Sequence, residues 1–226
     1  MRRQTSAIVA TILVIPVAAC SKSSENQTSY QVDQAVTSLV VDARAAAVAI
    51  EAGNGPVSVT ERYRYADAKP ATAHQVDGQT LRLTESGCGN DEVRCETEFR
   101  IRVPSGTSAQ VTAQAGAVKV NGLGGDVHVT TQAGAVEGTG LSGDTVVVQT
   151  EAGAMTLEFA KAPTTLQATT ELGAVTIRVP GNSAYAVTAR SDVGSSKVSV
   201  RQDAASPHKI SVKTQVGAVT VEAAGG

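Results

Sequence analysis

The 226-residue chain has no tryptophan, two phenylalanines and four tyrosines. A groove that grips a long glycan stacks sugar rings on aromatic faces, so a sugar cleft has little material here. Its three histidines, His74, His128 and His208, are scattered, and none falls in an HExxH pattern. GxSxG and P-loop phrases are missing too. With no such signature, no catalytic residue, metal or cofactor is assigned, and a solenoid-type glycan lyase or hydrolase is the minor alternative. Basic residues are not in excess: 19 Lys and Arg stand against 21 Asp and Glu. Without a basic stripe, nucleic acid is not an expected partner. Helical periodicity is also lacking, because Val, Thr and Gly alternate with polar residues through most of the chain.

The long apolar run is confined to the start, MRRQTSAIVATILVIPVAAC. Arg2 and Arg3 precede Ala7–Ala18, a stretch too short to span a bilayer stably, and small residues follow. That is the layout of a secretion signal over residues 1–19. Val17-Ala18-Ala19-Cys20 resembles the lipobox of bacterial lipoproteins, which implies acylation of the Cys20 thiol and a mature chain that begins there. The alternative is an ordinary cleaved signal with a chance cysteine. The small polar residues SKSSENQTS (21–29) read as a flexible tether that, with Cys20, occupies 20–30. Losing the leader removes Arg2 and Arg3 and no acid, so 17 basic residues then face 21 acidic ones.

Only Cys88 and Cys95 remain, in SGCGNDEVRCET. An exported chain sits where disulfides persist, and the six intervening residues can close a hairpin-like loop. A Cys88–Cys95 disulfide is expected. Zinc is the weaker alternative, since no second Cys/His pair lies nearby.

What the chain has in abundance is one phrase. QAGAVKV (114–120) returns as QAGAVEG, EAGAMTL, ELGAVTI and QVGAVTV. Aligned on Gly116, Gly134, Gly153, Gly173, Gly194 and Gly217, the steps grow from 18 to 23 residues. Gly53 is read as an earlier member. Before each glycine the alternation is strict: Val127, Val129, Thr131 and Ala133 share one face, as do Leu166, Ala168, Thr170 and Leu172. After it a second short strand begins, with Val118/Val120, Met155/Leu157 or Val219/Val221 inward. A period of two marks half-buried strands, and the glycine marks a corner.

A two-strand unit of this length cannot bury its apolar face alone, whereas coils stacked about 4.8 Å apart can. The expected fold is therefore all-β: a mostly parallel β-solenoid of roughly 20-residue coils over 31–226. An inserted hairpin carrying the Cys loop is placed at about 61–98. An antiparallel β-sandwich is the alternative. VTVEAAGG leaves the last coil bare, so self-association through the C-terminal coil is a further expectation.

Two polar ladders accompany the corners. Glu51, Gln114, Gln132, Glu151, Glu171, Asp192 and Gln215 face outward, two residues before each glycine. Cation binding by Glu151, Glu171 and Asp192 is conceivable there, but stacked amides and carboxylates at a corner are the simpler reading. Thr131, Thr150, Thr170, Ser191 and Thr214 face inward, where their hydroxyls need partners. Arg62, Tyr63, Arg64 and Tyr65 form an aromatic–basic cluster, read as a two-sided edge strand.

The lipobox, polar tether, Cys-loop hairpin, VPxG turn and run of xGxVxV coils resemble the bacterial β-strand-repeat lipoproteins of unknown function, an adhesin-like family. The resemblance covers about residues 35–226; the family's common GDV is replaced here by GAV. It implies a β-solenoid at the cell envelope and transfers no catalytic residue. The expected function is a non-catalytic binding or adhesin-like module with an unknown envelope or surface ligand. It would be held through Cys20 on the extracytoplasmic side of a bacterial membrane. A structural, self-assembling envelope protein is the alternative.

Overall fold

A computed structural model describes residues 23–89 and 95–225 of the chain. Cys20 lies outside the described residues. The strands in chain order are β1 (Ser24–Val32), β2 (Ser38–Gly53), β3 (Val57–Tyr65), β4 (Thr72–Asp77), β5 (Thr80–Glu85) and β6 (Cys95–Pro104). The repeats follow as β7 (Ser108–Ala115) with β8 (Val118–Asn121), β9 (Val127–Ala133) with β10 (Val136–Leu141), and β11 (Thr145–Ala152) with β12 (Met155–Phe159). Then come β13 (Thr165–Leu172) with β14 (Val175–Val179), β15 (Ala186–Val193) with β16 (Ser196–Ser199), and β17 (Lys209–Val216) with β18 (Val219–Ala223).

The chain is a β-solenoid. Each coil contributes one strand to each of two sheets, joined at the phrase's glycine. One sheet stacks β7, β9, β11, β13, β17 and β15 in parallel register. The other stacks β8, β10, β12, β14, β18 and β16. Because the register never slips at the corner, like positions form ladders: Val111, Val129, Val148, Ala168 and Val212 in one sheet, Val118, Val136, Met155, Val175 and Val219 in the other. All are buried between the sheets. Period-two alternation thus becomes a single continuous core one side chain deep from each sheet.

Strand β2 runs through both sheets. Its Ser38–Ala43 half pairs with β5 and β7, and its Ala46–Gly53 half pairs with β6 and β8. Register sets Ala45 against Ala115 and Val48 against Val118, so Ala46 holds the corner place in this coil. Gly53 is therefore not a corner. It ends β2 against Pro104, and the chain then crosses to β3 on the far side of β6. Nor is SKSSENQTS a free tether. From Ser24 it forms β1, antiparallel to β3. Polar residues suit an outermost strand that hydrogen-bonds on one side, and Val32, buried at its end, pins it. Strand β3 in turn lies between β1 and β6, so the Arg62–Tyr65 cluster is internal to its sheet rather than an edge.

The last two coils exchange places. β17 pairs with β13 on one side and β15 on the other, and β18 lies between β14 and β16. The C-terminal coil is thus internal, and the coil formed by β15 and β16 ends the stack. Apolar size explains the order. Ile210, Val212, Val219 and Val221 are essentially inaccessible in the inner slot, while the outer coil offers Val187, Ala189, Ser191 and Val198, which remain partly exposed. The larger set gains more from full burial. Turns hold the detour in place: buried Tyr185 donates its hydroxyl to Pro180 O (2.7 Å), and Ser206 Oγ donates to Ala184 O (2.7 Å).

Beyond the first coil the corner admits no side chain. A Cβ on Gly134 would sit 2.0 Å from Gly116 O, one on Gly153 2.0 Å from Gly134 O, and one on Gly173 2.0 Å from Gly153 O. Positive φ at these positions adds backbone strain for any other residue. Gly153→Ala should therefore destabilise the fold by about 2–4 kcal/mol. Gly106→Ala, where nothing lies within 4 Å and φ is not positive, should be close to neutral. Thermal or denaturant melts of the two variants test the difference.

Candidate binding surface

The corner edge is where outward and inward positions meet. The residue before each glycine was expected inside, by continued alternation. Instead the chain turns one residue early, and these side chains face solvent. In stack order they are Ala115, Ala133, Ala152, Leu172, Val216 and Val193, kept in line by the register. Leu172, Val216 and Val193 are 55%, 46% and 64% exposed, and they occupy three consecutive coils. An exposed alanine or serine follows each glycine there: Ala174, Ala218 and Ser195. An apolar ridge thus runs along the edge and becomes bulky toward the open end.

The outward polar ladder flanks this ridge. Its order in space is Arg44, Gln114, Gln132, Glu151, Glu171, Gln215 and Asp192, because the coil exchange inserts Gln215 between Glu171 and Asp192. The three acids do not form a run, which removes the geometric basis for a shared cation. Glu51 is not in this ladder; it pairs with Arg102 at 3.0 Å. Of the inward hydroxyls, those of the three outer coils find the corner, while Thr131 Oγ1 and Thr150 Oγ1 are buried without a partner. Thr214 Oγ1 donates to Gly173 O (3.1 Å), Ser191 Oγ to Gly217 O (2.7 Å) and Thr170 Oγ1 to Gly153 O (3.4 Å), each reaching the coil below. These side chains supply a donor to carbonyls that the stacked glycines approach closely.

At the first end, β1, β3 and β6 run past the corner. Thr97 pairs with Ala46, so Cys95 and Glu96 project beyond it. The Cys88–Cys95 disulfide (Cα–Cα 5.9 Å) ties this projection to the segment after β5. Between projection and ridge lies a hollow of about 850 Å³, whose walls include Arg62, Arg64, Glu96, Glu98, Ala47 and Gly116. Its charges are already matched. Arg64 meets Glu25 (3.1 Å) and Glu96 (3.5 Å), and Glu98 lies between Arg100 (2.6 Å) and Arg62 (3.9 Å). Pairs this exposed contribute little stability each, and their effect is to leave a surface without a dominant sign.

Beneath this surface two carboxylates are buried. Glu85 accepts from the amides of Arg44 (3.0 Å), Ala45 (2.9 Å) and Gly87. It closes the corner ladder where no earlier coil offers a carbonyl. Glu61 accepts from Tyr30 (2.7 Å), Thr72 (2.7 Å) and Tyr63. Burial pushes the Tyr63 hydroxyl up to about 12, and the hydrogen bond and charge of Glu61 push the same way. Tyr30 is raised for the same reasons. Sequence reasoning did not single out Glu61 or Glu85. Their inward phase, shared with Val59 and with Leu83 respectively, was the available signal.

The histidines serve separate places. His74 stacks on Tyr30 with ring centroids 4.2 Å apart, His208 Nδ1 meets Pro163 O (2.8 Å), and His128 faces solvent on β9. No group of three or more His, Cys, Asp or Glu residues is placed to hold a metal among the described residues.

The repeat geometry has a counterpart among known families, since the Toastrack DUF4097 pattern matches residues 42–224. The chain belongs to the Toastrack DUF4097 family. Two solved structures are similar to the chain at low identity. One, a "putative cell adhesion protein" from Clostridium sporogenes, is 16% identical with a TM-score of 0.54, covering 90% of this chain and all of that one. Another, a "putative adhesin" from Bacteroides fragilis, is 15% identical with a TM-score of 0.48, covering 88% and 97%. No curated protein matches the chain.

The tyrosine–carboxylate cluster should make this chain sensitive to alkali. With its folded pKa above the ordinary value of 10.0, Tyr63 contributes stability that is complete below pH 10 and is lost as pH rises toward 12. Denaturant melts across this range should show that decline. Tyr63→Phe should be less stable at neutral pH by about 1–2 kcal/mol, with a shallower alkaline decline.

Proposed function

We propose that this Toastrack chain is a lipid-anchored, extracytoplasmic binding module at a bacterial cell membrane, non-catalytic and adhesin-like. The observation that carries the reading is the corner edge. One exposed apolar ridge and the hollow at its first end form a rigid surface, fixed by backbone ladders rather than by loops. Long solenoid faces serve as broad recognition surfaces, and exposed apolar patches commonly mark contact sites. The other support is positional. β1 begins at Ser24, at the end of its sheet that projects past the corner, and Cys20 of the lipobox lies four residues upstream. A diacylglyceryl group there would hold the molecule close to the bilayer, with the hollow nearest its surface. The ligand is a component of the envelope or of a neighbouring surface.

Two measurements test this. Cys20→Ser should abolish lipid labelling and release the protein from the membrane fraction, or leave the leader uncleaved. Normal processing with full membrane retention would remove the anchor. Separately, the chain from Ser21 should bind whole cells or one envelope fraction saturably, and a heat-unfolded sample should not. Turnover of an envelope glycan, abolished by substituting one polar cluster, would replace the binding reading with an enzymatic one.

A further inference from the structure

The stack has two unlike ends. At the first, the β4–β5 hairpin and antiparallel β1 and β3 extend past the coils, and the stacked rings of Tyr30 and His74 bridge the two sheets. The outermost strands there, β1 and β4, are mostly exposed and polar. At the other end no strand follows β15 or β16 among the described residues. Apart from the Tyr185–Gln202 bridge just before β15 and Ala189 O, which accepts from Ser196 Oγ (3.2 Å), the strands at this end have no backbone partner on their outer side among the described residues, and Val187, Ala189, Val198 and Val200 are only partly covered. Val193, at 64% exposure, is the most exposed large side chain of the apolar ridge and belongs to this same coil.

We propose that this open end is a self-complementary interface, and that two copies of the chain stack end to end about a two-fold axis. β15 of each copy pairs antiparallel with β16 of the other. The two strands carry matched patterns. Setting Asp192 opposite Lys197 of the second copy places Ser191 opposite its Val198 and Ala189 opposite its Val200. Inward positions then meet inward positions, and outward meet outward. The four residues of β16 are matched by Arg190–Val193. The two-fold axis repeats the register on the second strand pair, so one alignment satisfies both sheets at once.

Charge agrees with this register. Asp192 and Lys197 are exposed, take part in no ion pair among the described residues, and meet twice across the interface. Arg190, already beside Lys213, falls opposite Ser199 and gains no second cation. The alignment also superposes the two corners. The ridge Leu172–Val216–Val193 then continues into its copy, which explains why its bulky members are confined to the three coils nearest this end. A head-to-tail arrangement has no comparable fit, because it sets an open core against a first end edged by polar strands. The assembly therefore closes as a pair. It goes beyond the binding role and does not depend on the anchor at Cys20.

The test uses the chain from Ser21 to Gly226, which keeps every strand. Sedimentation equilibrium should give twice the chain mass, dissociating to the single-chain mass on dilution. Lys197→Glu sets carboxylates opposite each other twice and should weaken the pair about tenfold or more. The double variant Asp192→Lys/Lys197→Glu restores opposite charges and should recover the dimer. Far-ultraviolet spectra and melts of each variant establish that it is folded. A single-chain mass at every concentration overturns the proposal. So does a dimer indifferent to the charge reversal, or open-ended growth beyond two copies.

Discussion

The structure depends on how close one backbone can come to another at the corner. In each coil after the first a glycine lies where a Cβ would meet the carbonyl of the coil below at about 2.0 Å. That approach lets both sheets keep one unbroken register, and the register in turn produces the ladders of valine, the hydroxyls reaching the corner carbonyls and the ridge outside them. Were the coils forced apart at the corner, the strand hydrogen bonds on either side could not both keep their normal spacing. The contact between glycine and carbonyl is thus the constraint, and the apolar core is what makes satisfying it worthwhile.

The first coil shows how the constraint begins. Ala46 occupies the corner place and keeps a side chain. Below it lies no corner carbonyl, only the Glu85 carboxylate accepting the amides of Arg44 and Ala45. A side chain here does what a preceding coil does elsewhere. The same end buries Glu61 among hydroxyls and carries the disulfide, so polar chemistry concentrates where the repeat is absent. The repeat supplies rigidity, and the irregular first end supplies the hollow beside it.

Much of this was legible in the sequence. Period-two alternation with fixed phase across the glycines specified a solenoid, and the spacing of Cys88 and Cys95 suggested their bond. What was not legible shares one cause: alternation reports which way a side chain points and says nothing of which strand lies beside it. Gly53 looked like a corner because valines follow it, yet its neighbour is Pro104. The polar Ser24–Val32 segment looked like a tether because an edge strand needs few apolar residues. Leu172, Val193 and Val216 were assigned inward by counting one residue too far into the turn. The coil exchange was equally hidden, although the contrast between Ile210/Val212 and their counterparts Val187/Ala189 was a signal that the C-terminal pair deserved the better-covered slot.

That exchange has a consequence for how the chain is made. Coils up to β14 can each settle on one that left the ribosome earlier. The pair β15 and β16 cannot, because its sole neighbours, β17 and β18, are synthesised afterwards. It must wait, unpaired, until β17 and β18 arrive and are inserted beneath it. A nascent chain stopped before Lys209 therefore lacks one coil and strands another. β17 and β18 thus gate this part of the assembly, since nothing beyond β14 can take its native place without them.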